Sequence, residues 1–280
     1  MPDKIEKIGQ SIIQHGVEND RVYLMKLEKK DADNIVPVVE EIAQKNHYGK
    51  IFCKVPEWAR DFFSGHQYRM EAHIPKFYQG KTHVYFMSKF LKPNRLRMNG
   101  DVKSKMRSFL NLAKSKADGY SVLNLQPEFK IKKLKDSNAA ELAKLYDQVY
   151  DSYPFPITKI DYIKKTMKSN VDYFGVFFDK KLIAASSSEK DMDAANTEMT
   201  DFATLTGYRG LGLATALLQT MEPEMKKLKI KTYFTIARAL SPGMNITFAR
   251  SGYRYSGTLI NNTQIAGHIE PMNVWYKLAV

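Results

Sequence analysis

The sequence predicts an α/β (α+β) protein of 280 residues, in which helices flank a central mixed β-sheet. Three observations support this fold class. Short runs of β-branched and aromatic residues alternate with runs whose apolar residues recur every three or four positions, so strands and amphipathic helices follow each other. One strand pattern, in residues 198–228, ends in a glycine-containing turn that opens a long helix. The order of elements near the N-terminus also recurs near the C-terminus.

Composition describes an ordinary globular chain, with 44% hydrophobic and 26% charged residues. This length suffices for one large domain or two ordinary ones. The single cysteine, Cys53, excludes an internal disulfide and fits a reducing compartment. No apolar run approaches the ~20 residues of a membrane helix, and the first residues do not resemble a secretion signal. We therefore expect a cytoplasmic protein without membrane association.

The formal net charge of +13 raises the possibility of a nucleic-acid partner. Many of the cations fall within residues 89–116, which we call the basic segment. Such a run can follow phosphates, but more often it is a solvated connector or helix face. Only Phe90 and Phe109 are available there for base stacking, so we expect no nucleic-acid partner. The cations are Lys89, Lys92, Arg95, Arg97, Lys103, Lys105, Arg107, Lys114 and Lys116.

Residues 1–90 form the first predicted domain. Its strands are expected at residues 21–27, 50–55, 68–74 and 82–90, and its helices at residues 31–44 and 58–63. The order of strand, short helix, aromatic-led strand and final strand recurs in residues 231–278. We therefore interpret residues 1–90 as a degenerate counterpart of the second half of the C-terminal fold. Packing or dimerisation, as in a possible homodimer, is its expected role.

A basic connector, residues 91–127, with a helix at 104–116, leads to the second domain, residues 128–280. This domain should contain a strand at 129–134, a helix opened by a capping box of Asn138 and Glu141, and a second helix at 160–167. Residues 150–157 cannot be regular because Pro154 and Pro156 lie among them. Strands at 172–178 and 181–188 meet in a tight turn, and Pro223 should kink or shorten the long helix.

The turn that opens the long helix reads Arg209-Gly210-Leu211-Gly212-Leu213-Ala214. The first N–H groups of a helix lack intrahelical partners and carry partial positive charge, so this turn can bind an anion such as a phosphate. It matches neither the Walker pattern nor the dinucleotide fingerprint, which would require a third glycine at Thr215. A tight turn without a ligand remains the alternative. The helix should bury Leu211, Ala214, Leu217, Leu218, Met221, Met225 and Leu228.

The turn resembles the signature Arg/Gln-x-x-Gly-x-Gly/Ala of the GNAT acetyltransferases, which Arg209, Gly212 and Ala214 match. The resemblance implies a GNAT fold with a splayed central sheet, preceded by a smaller, degenerate GNAT-like domain. It also implies acetyl-CoA as co-substrate and no metal. Amides of the turn would hold the diphosphate, and the preceding fourth strand would hold the pantetheine. The implied cofactor-binding residues are Thr204, Leu205, Arg209, Gly210, Leu211, Gly212, Ala214, Thr215, Asn245 and Phe248.

Acetyl transfer to an alkyl amine requires a base, because such amines are largely protonated at neutral pH. Glu198 and Asp201 on the fourth strand are the candidates. In a regular strand they would face opposite sides, which a bulge would change. The alternative for each is a simple surface or strand-end charge. Phe248 stands where GNATs commonly place a tyrosine acid, so either Tyr253, Ser251 or water protonates the leaving thiolate, or the thiolate leaves unassisted.

Five stretches closely resemble the β-lysine N-acetyltransferases: residues 5–16, 152–157, 201–205, 241–253 and 257–277. The resemblance spans essentially the whole chain. It implies acetylation of the N6 amine of L-β-lysine, a product of lysine 2,3-aminomutase, to N6-acetyl-β-lysine, a compatible solute made under salt stress. The alternatives are a polyamine or lysine as acceptor, or a nucleic-acid-binding protein with a vestigial acetyltransferase fold. Expected substrate contacts are Asp151, Tyr153, Phe155, Asn261 and Asn262, with Arg238 or Arg250 facing the carboxylate.

Overall fold

The structure, a computed structural model, describes residues 3–117, 119, 122, 123, 125–265 and 267–279. Six strands form an N-terminal sheet in the order β1-β2-β3-β4-β6-β5, in which β3 and β4 are parallel and the other neighbours are antiparallel. Its elements are β1 (Lys4–Ile8), β2 (Ser11–Gly16), β3 (Arg21–Lys26), α1 (Ala32–Lys45), β4 (Lys50–Pro56), α2 (Arg60–Gly65), β5 (Arg69–Tyr78) and β6 (Thr82–Phe90).

Two helices, α3 (Pro93–Leu96) and α4 (Gly100–Lys114), connect this sheet to a seven-stranded C-terminal sheet. The elements of the second sheet are β7 (Lys130–Lys133), α5 (Ala139–Val149), α6 (Ile160–Met167), β8 (Val171–Phe178), β9 (Lys181–Asp191), β10 (Asn196–Thr204), α7 (Leu213–Lys227), β11 (Thr232–Arg238), α8 (Pro242–Arg250), β12 (Arg254–Ile265) and β13 (His268–Leu278). Its order is β12-β13-β11-β10-β9-β8-β7. The mixed sheet flanked by helices confirms the predicted fold class.

The two sheets share one pattern of connections. The N-terminal sheet has the order β5-β6-β4-β3-β2-β1, and six strands of the C-terminal sheet have the order β12-β13-β11-β10-β9-β8. Strands at the same place in the two sheets, such as β5 and β12, also come at the same place in the order of the chain. The single parallel pair of each sheet, β3 with β4 and β10 with β11, falls at the same place, and a helix connects its strands. This correspondence supports the interpretation of residues 1–90 as a degenerate repeat. The domain boundaries near residues 90 and 128 stay predictions.

The sheets pack against each other through a shared apolar core. Phe52 and Phe86 from the N-terminal sheet join Phe234 and Met272 from the C-terminal sheet in one buried cluster. Beside it, the Lys50 ammonium donates to Glu71 at 2.7 Å and to the Ile260 carbonyl at 2.8 Å, with the Lys50 side chain fully buried.

The backbones of the two sheets approach each other closely at Gly257. A Cβ atom on Gly257 would lie 2.1 Å from the Glu71 carbonyl oxygen, so a glycine is required there. The two sheets therefore form one continuous structure, and the N-terminal one can contribute a wall to a site on the other.

Several local predictions need correction. Strands β1 and β2 were not anticipated, because residues 4–16 mix charged and apolar residues without a clear period. The capping box at Asn138 is wrong: its side chain does not cap α5 but accepts from the Lys135 amide at 3.1 Å. Helix α7 continues past Pro223 to Lys227, so the proline does not shorten it. Leu211 precedes α7 and, like Leu228 after it, is exposed rather than buried.

Part of the basic segment is neutralised by ion pairs. Lys89 pairs with Glu40 at 2.8 Å, while Lys92 and Arg95 pair with Asp20 at 3.2 and 3.1 Å. Helix α4 packs against α8, with Ala113 in the core. The basic segment therefore makes structural contacts with other parts of the chain, in addition to contributing positive charge. Among the helices that the structure describes, none is both long and apolar enough to cross a membrane.

Candidate active site

The glycine turn has the backbone geometry of an anion site. Gly210 and Gly212 adopt φ values of +83° and +76°, which disfavour residues with side chains, and Gly212 is the N-cap of α7. The first α-helical bond runs from the Ala216 amide to the Gly212 carbonyl. The amides of the first turn of α7 therefore have no partner within the helix. A Cβ on Gly210 would meet no atom within 4 Å, which leaves space for a ligand beside the turn.

A cavity of about 770 Å³ opens at this turn. The C-terminal sheet contributes the turn, the end of β10 and the start of α8, and the N-terminal sheet contributes the opposite wall. The loop at residues 150–157 closes one side, where the Gln14 side chain of β2 donates to the Pro154 carbonyl at 3.2 Å. The lining residues from the N-terminal sheet are Arg21, Tyr23, Met25, Phe52 and Lys54.

Strands β10 and β11 diverge next to the cavity. Among the described residues they pair at three positions, ending with Glu198 opposite Phe234, although β10 continues to Thr204 and β11 to Arg238. Backbone groups beyond Glu198 on the β11 side of β10 are therefore available to a ligand. The gap between the two parallel strands gives an extended ligand room to bind there.

A bulge in β10 brings the two candidate bases together. The register with β9 shifts between Thr200 and Ala203, and Asp201 has φ +53°. Because the bulge breaks the alternation of side chains, Glu198 and Asp201 both line the same cavity despite their opposite parity in the sequence.

Asp201 is held in a network of hydroxyl groups. The Tyr153 hydroxyl donates to Oδ1 at 2.5 Å and the Ser187 hydroxyl donates to Oδ2 at 2.6 Å. Burial raises the pKa of the Asp201 carboxyl above its usual value, while these hydrogen bonds oppose that rise. The carboxylate is thereby fixed in orientation at the edge of the cavity.

Glu198 lies in a more acidic environment. Burial, followed by the nearby negative charge of Glu189, raises its pKa to about 8, and the positive charge of Lys54 partly opposes the change. Glu189 lies opposite Glu198 on β9, and burial raises its pKa as well. A carboxyl group that titrates near neutral pH can accept a proton from a substrate and release it again.

The structure brings most of the predicted site residues to the cavity. Besides the two carboxylates, the lining includes Thr204, Arg209, Gly210, Gly212, Ala214, Thr215, Phe248, Tyr153, Phe155 and Asn262. The other five lie elsewhere. Leu205 is partly buried and packs against the core, and Leu211 and Asp151 are exposed. The Asn245 amide is buried between Trp275 and backbone carbonyls, and Asn261 donates to the carbonyls of Arg95 and Arg97.

Phe248 is buried and contacts Phe202 and Tyr253 edge to face. Neither Tyr253 nor Ser251 lines the cavity, so the two side-chain alternatives for protonating a thiolate lie outside it. Arg238 lines the cavity but forms a two-pronged ion pair with Glu270, at 2.9 and 2.7 Å. Its charge is already matched within the protein. Arg250 also lines the cavity.

Sequence reasoning missed the wall from the N-terminal sheet, and Glu189. Arg21 and Lys54 each occupy an otherwise largely apolar strand, and that is the signal that could have identified them. Neither position has a motif attached to it, and their approach to β10 depends on how the two sheets pack.

The fold and the site define an acetyltransferase of the GNAT class. Residues 139–252 match the family model described as Acetyltransferase (GNAT) family. The protein is therefore an N-acetyltransferase with acetyl-CoA as co-substrate, and the open amides at Gly212 and the splayed strands fit that molecule. The described residues contain no group of three or more His, Cys, Asp or Glu side chains able to hold a metal ion.

Similar proteins identify the family within the GNAT class to which the chain belongs. The chain is 39% identical over 283 residues to the β-lysine N(6)-acetyltransferase of Methanococcus maripaludis, covering 99% of each chain. It is 27% identical to the enzyme of the same name from Methanosarcina mazei, covering 88% of this chain and 97% of the relative. It is also 40% identical to the N-acetyltransferase YodP of Bacillus subtilis, covering 54% of this chain and 55% of the relative. The chain belongs to the β-lysine N(6)-acetyltransferase family.

Proposed function

We propose that this protein transfers the acetyl group of acetyl-CoA to the N6 amine of L-β-lysine, giving N6-acetyl-β-lysine. The observation that carries the proposal is the presence of Glu198 and Asp201 in one cavity with the glycine turn. The name of the relatives that match nearly the whole chain supports β-lysine as the acceptor.

The acceptor amine must lose a proton before it can react, because an alkylammonium has a pKa near ~10.4. We assign the role of base to Glu198, whose pKa of about 8 leaves a fraction of the carboxyl ionised near neutral pH and able to take up that proton. Asp201, oriented by Tyr153 and Ser187, would hold the ammonium group beforehand. The roles of Glu198 as base and of Asp201 as ammonium-binding group are assigned from the chemistry of the two carboxyl groups.

The backbone supplies the remaining interactions. Acetyl-CoA brings the acetyl group as a thioester, whose carbon–sulfur bond breaks as the new carbon–nitrogen bond forms. An N–H group of β10 beyond Glu198, where the strands diverge, would donate to the carbonyl oxygen as negative charge develops on it. The amides at the start of α7 would bind the diphosphate, assisted by the helix dipole.

In the cell, a lysine 2,3-aminomutase would supply the acceptor in the cytoplasm. The acetylated product has lost the positive charge of its terminal amine and keeps one ammonium and one carboxylate. A molecule of zero net charge is suited to accumulate as a compatible solute under salt stress.

An acceptor comparison tests the proposal. The purified chain is given acetyl-CoA with L-β-lysine, α-lysine or spermidine, and free thiol release is followed. We expect kcat/KM to be highest for L-β-lysine, and mass spectrometry of the product to locate the acetyl group on N6. Equal or faster turnover of α-lysine or spermidine would overturn the assignment of the acceptor.

A further inference from the structure

A buried arginine of the N-terminal sheet lines the cavity. Arg21, the first residue of β3, is only 3% exposed, and its guanidinium lies over the rings of Tyr23 and Phe52. Its Nη1 donates to the Asn262 carbonyl and, at 3.1 Å, to the Thr263 hydroxyl. These contacts fix the guanidinium where β3 meets β12, against the cavity.

Arg21 differs from Arg238, another cation of the cavity, in its electrostatic partners. Among the described residues, Arg238 pairs with Glu270, and Lys54 lies near Glu189 and Glu198, whose pKa values it lowers. Arg21 makes no ion pair within that part of the chain, although the more distant negative charge of Asp3 favours its charged form, and its Nε is buried without a hydrogen-bond partner. Burial lowers its pKa to about 10, so it remains charged at neutral pH. A buried, unpaired charge is costly unless a ligand completes it.

An unpaired acceptor lies next to this unpaired donor. The side chain of Asn262 is buried, lines the cavity, and has an Oδ1 atom without a hydrogen-bond partner among the described residues. The Asn262 backbone carbonyl is the group that accepts from Arg21. One short stretch of wall therefore combines a guanidinium nitrogen, Arg21 Nε, and an amide oxygen, Asn262 Oδ1, that both lack a hydrogen-bond partner.

The acidic residues lie on the β10 side of the same cavity. Tyr23 lines the cavity together with Arg21 and Glu198, and the Arg21 guanidinium lies over its ring. The cavity thus has a cationic wall from the N-terminal sheet and an anionic wall from β9 and β10. This polarity matches an acceptor that carries an ammonium at one end and a carboxylate at the other.

We propose that Arg21 binds the carboxylate of the amino-acid acceptor, and that Asn262 Oδ1 accepts a hydrogen bond from its 3-ammonium group. The inference rests on the proposed function and adds the residues that determine its specificity. The degenerate N-terminal sheet is then the part of the protein that selects an amino acid over a simple diamine.

The test compares two acceptors that differ only in the carboxylate. 1,4-Diaminopentane is L-β-lysine with its carboxyl group removed and is the matched probe. Wild-type protein should prefer L-β-lysine by about 30-fold or more in kcat/KM, as expected for a buried charge pair. Arg21→Gln should lose that preference, mainly through a higher KM for L-β-lysine, and should keep its turnover of the diamine within about threefold.

Arg95→Gln is the matched control variant. Arg95 is also a buried arginine of the same region, but it pairs with Asp20 and does not line the cavity. Its loss should affect both acceptors equally. Arg21→Lys, which keeps the charge, should restore part of the preference and serves as the second variant if Arg21→Gln does not fold. An Arg21→Gln protein that keeps the preference, or loses both activities in proportion, would overturn the proposal.

The Asn262 contact is tested separately with 6-aminohexanoate, which is L-β-lysine without the 3-amino group. Asn262→Leu should narrow the preference for L-β-lysine over 6-aminohexanoate about tenfold, as expected for a hydrogen bond to a charged group. An unchanged ratio would remove Asn262 from the site. If the wild-type protein does not acetylate L-β-lysine at all, the proposed function fails instead, which is a different and visible result.

Discussion

The Tyr153 hydroxyl donates a hydrogen bond of 2.5 Å to Asp201, joining the proline-containing loop to the bulge of β10. Because this bond favours the ionised carboxylate, its removal should raise the pKa of Asp201 further. We expect Tyr153→Phe to lower kcat about 10-fold, in line with a hydrogen bond to a charged group. Steady-state kinetics with saturating acetyl-CoA and acceptor measure this loss of kcat.

Tyr150→Phe is the matched control for this prediction. The Tyr150 hydroxyl donates to the Phe202 carbonyl at 2.7 Å and not to Asp201. Its removal should leave kcat close to the wild-type value. A loss of kcat as large as that of Tyr153→Phe would show that the effect comes from the packing of the loop and not from the Asp201 carboxyl.

Glu198 should control the pH dependence of the reaction. As a base it must be ionised, so kcat/KM should rise with pH through about 8, the value to which burial and Glu189 raise its pKa. Glu198→Gln should lower kcat by roughly 100-fold or more and abolish this rise of kcat/KM with pH, the acidic limb of the profile. A steady-state pH series with saturating acetyl-CoA measures both effects, and a Glu198→Gln protein with a normal limb would exclude it as the base.

The same pKa shift predicts a change in stability with the opposite sign. The folded-state pKa of Glu198 lies above its unfolded value, so folding favours the protonated form, and this contribution is lost as pH rises from about 4.5 to about 8. The Glu198→Gln side chain does not ionise, so the variant does not lose this contribution to stability as the pH rises. Its Tm relative to wild type should therefore be higher at about pH 9 than at about pH 5. Thermal unfolding at the two pH values measures the difference, and an unchanged difference would contradict the buried, protonated state.

Gly212 should be essential for coenzyme A binding. Its φ is +76°, and a Cβ there would lie 2.6 Å from the Leu123 side chain, so Gly212→Val should distort the start of α7. We expect the affinity for coenzyme A to fall by about 100-fold as the first amides lose their alignment. Gly207→Ala, on a nearby glycine with no atom within 4 Å of its Cβ, should bind normally. Calorimetric titration distinguishes the two, and equal affinities would show that the turn does not hold the diphosphate.

The buried ion pair between the sheets should be required for stability. Lys50→Met leaves the Glu71 carboxylate buried and unpaired, which should lower the free energy of unfolding by about 3–5 kcal/mol. Combining Lys50→Met with Glu71→Gln removes both charges and should recover part of the loss. Chemical denaturation of the single and double variants measures the coupling. A single variant as stable as wild type would mean that Glu71 takes up a proton at no cost.

The sequence was most informative where chemistry depends on local backbone. The turn at Gly210 and Gly212 could be predicted, because positive φ values and unpaired helix amides follow from neighbouring residues. Whether Glu198 and Asp201 face the same side of the strand could not be decided from the sequence. The answer depends on a bulge in β10 that the residue pattern does not indicate. The wall around Arg21 could not be predicted, because it forms only when residues more than a domain apart in sequence pack together.

The contact at Gly257 and the core around Phe234 have a consequence for how the protein behaves in dilute solution. Residues from both sheets line the cavity, and both sheets belong to a single polypeptide. Dilution therefore cannot pull them apart, as it can in enzymes whose pockets lie between separate subunits. Activity per molecule should remain constant down to very low enzyme levels, and a cell could keep small amounts of this catalyst ready without losing its efficiency.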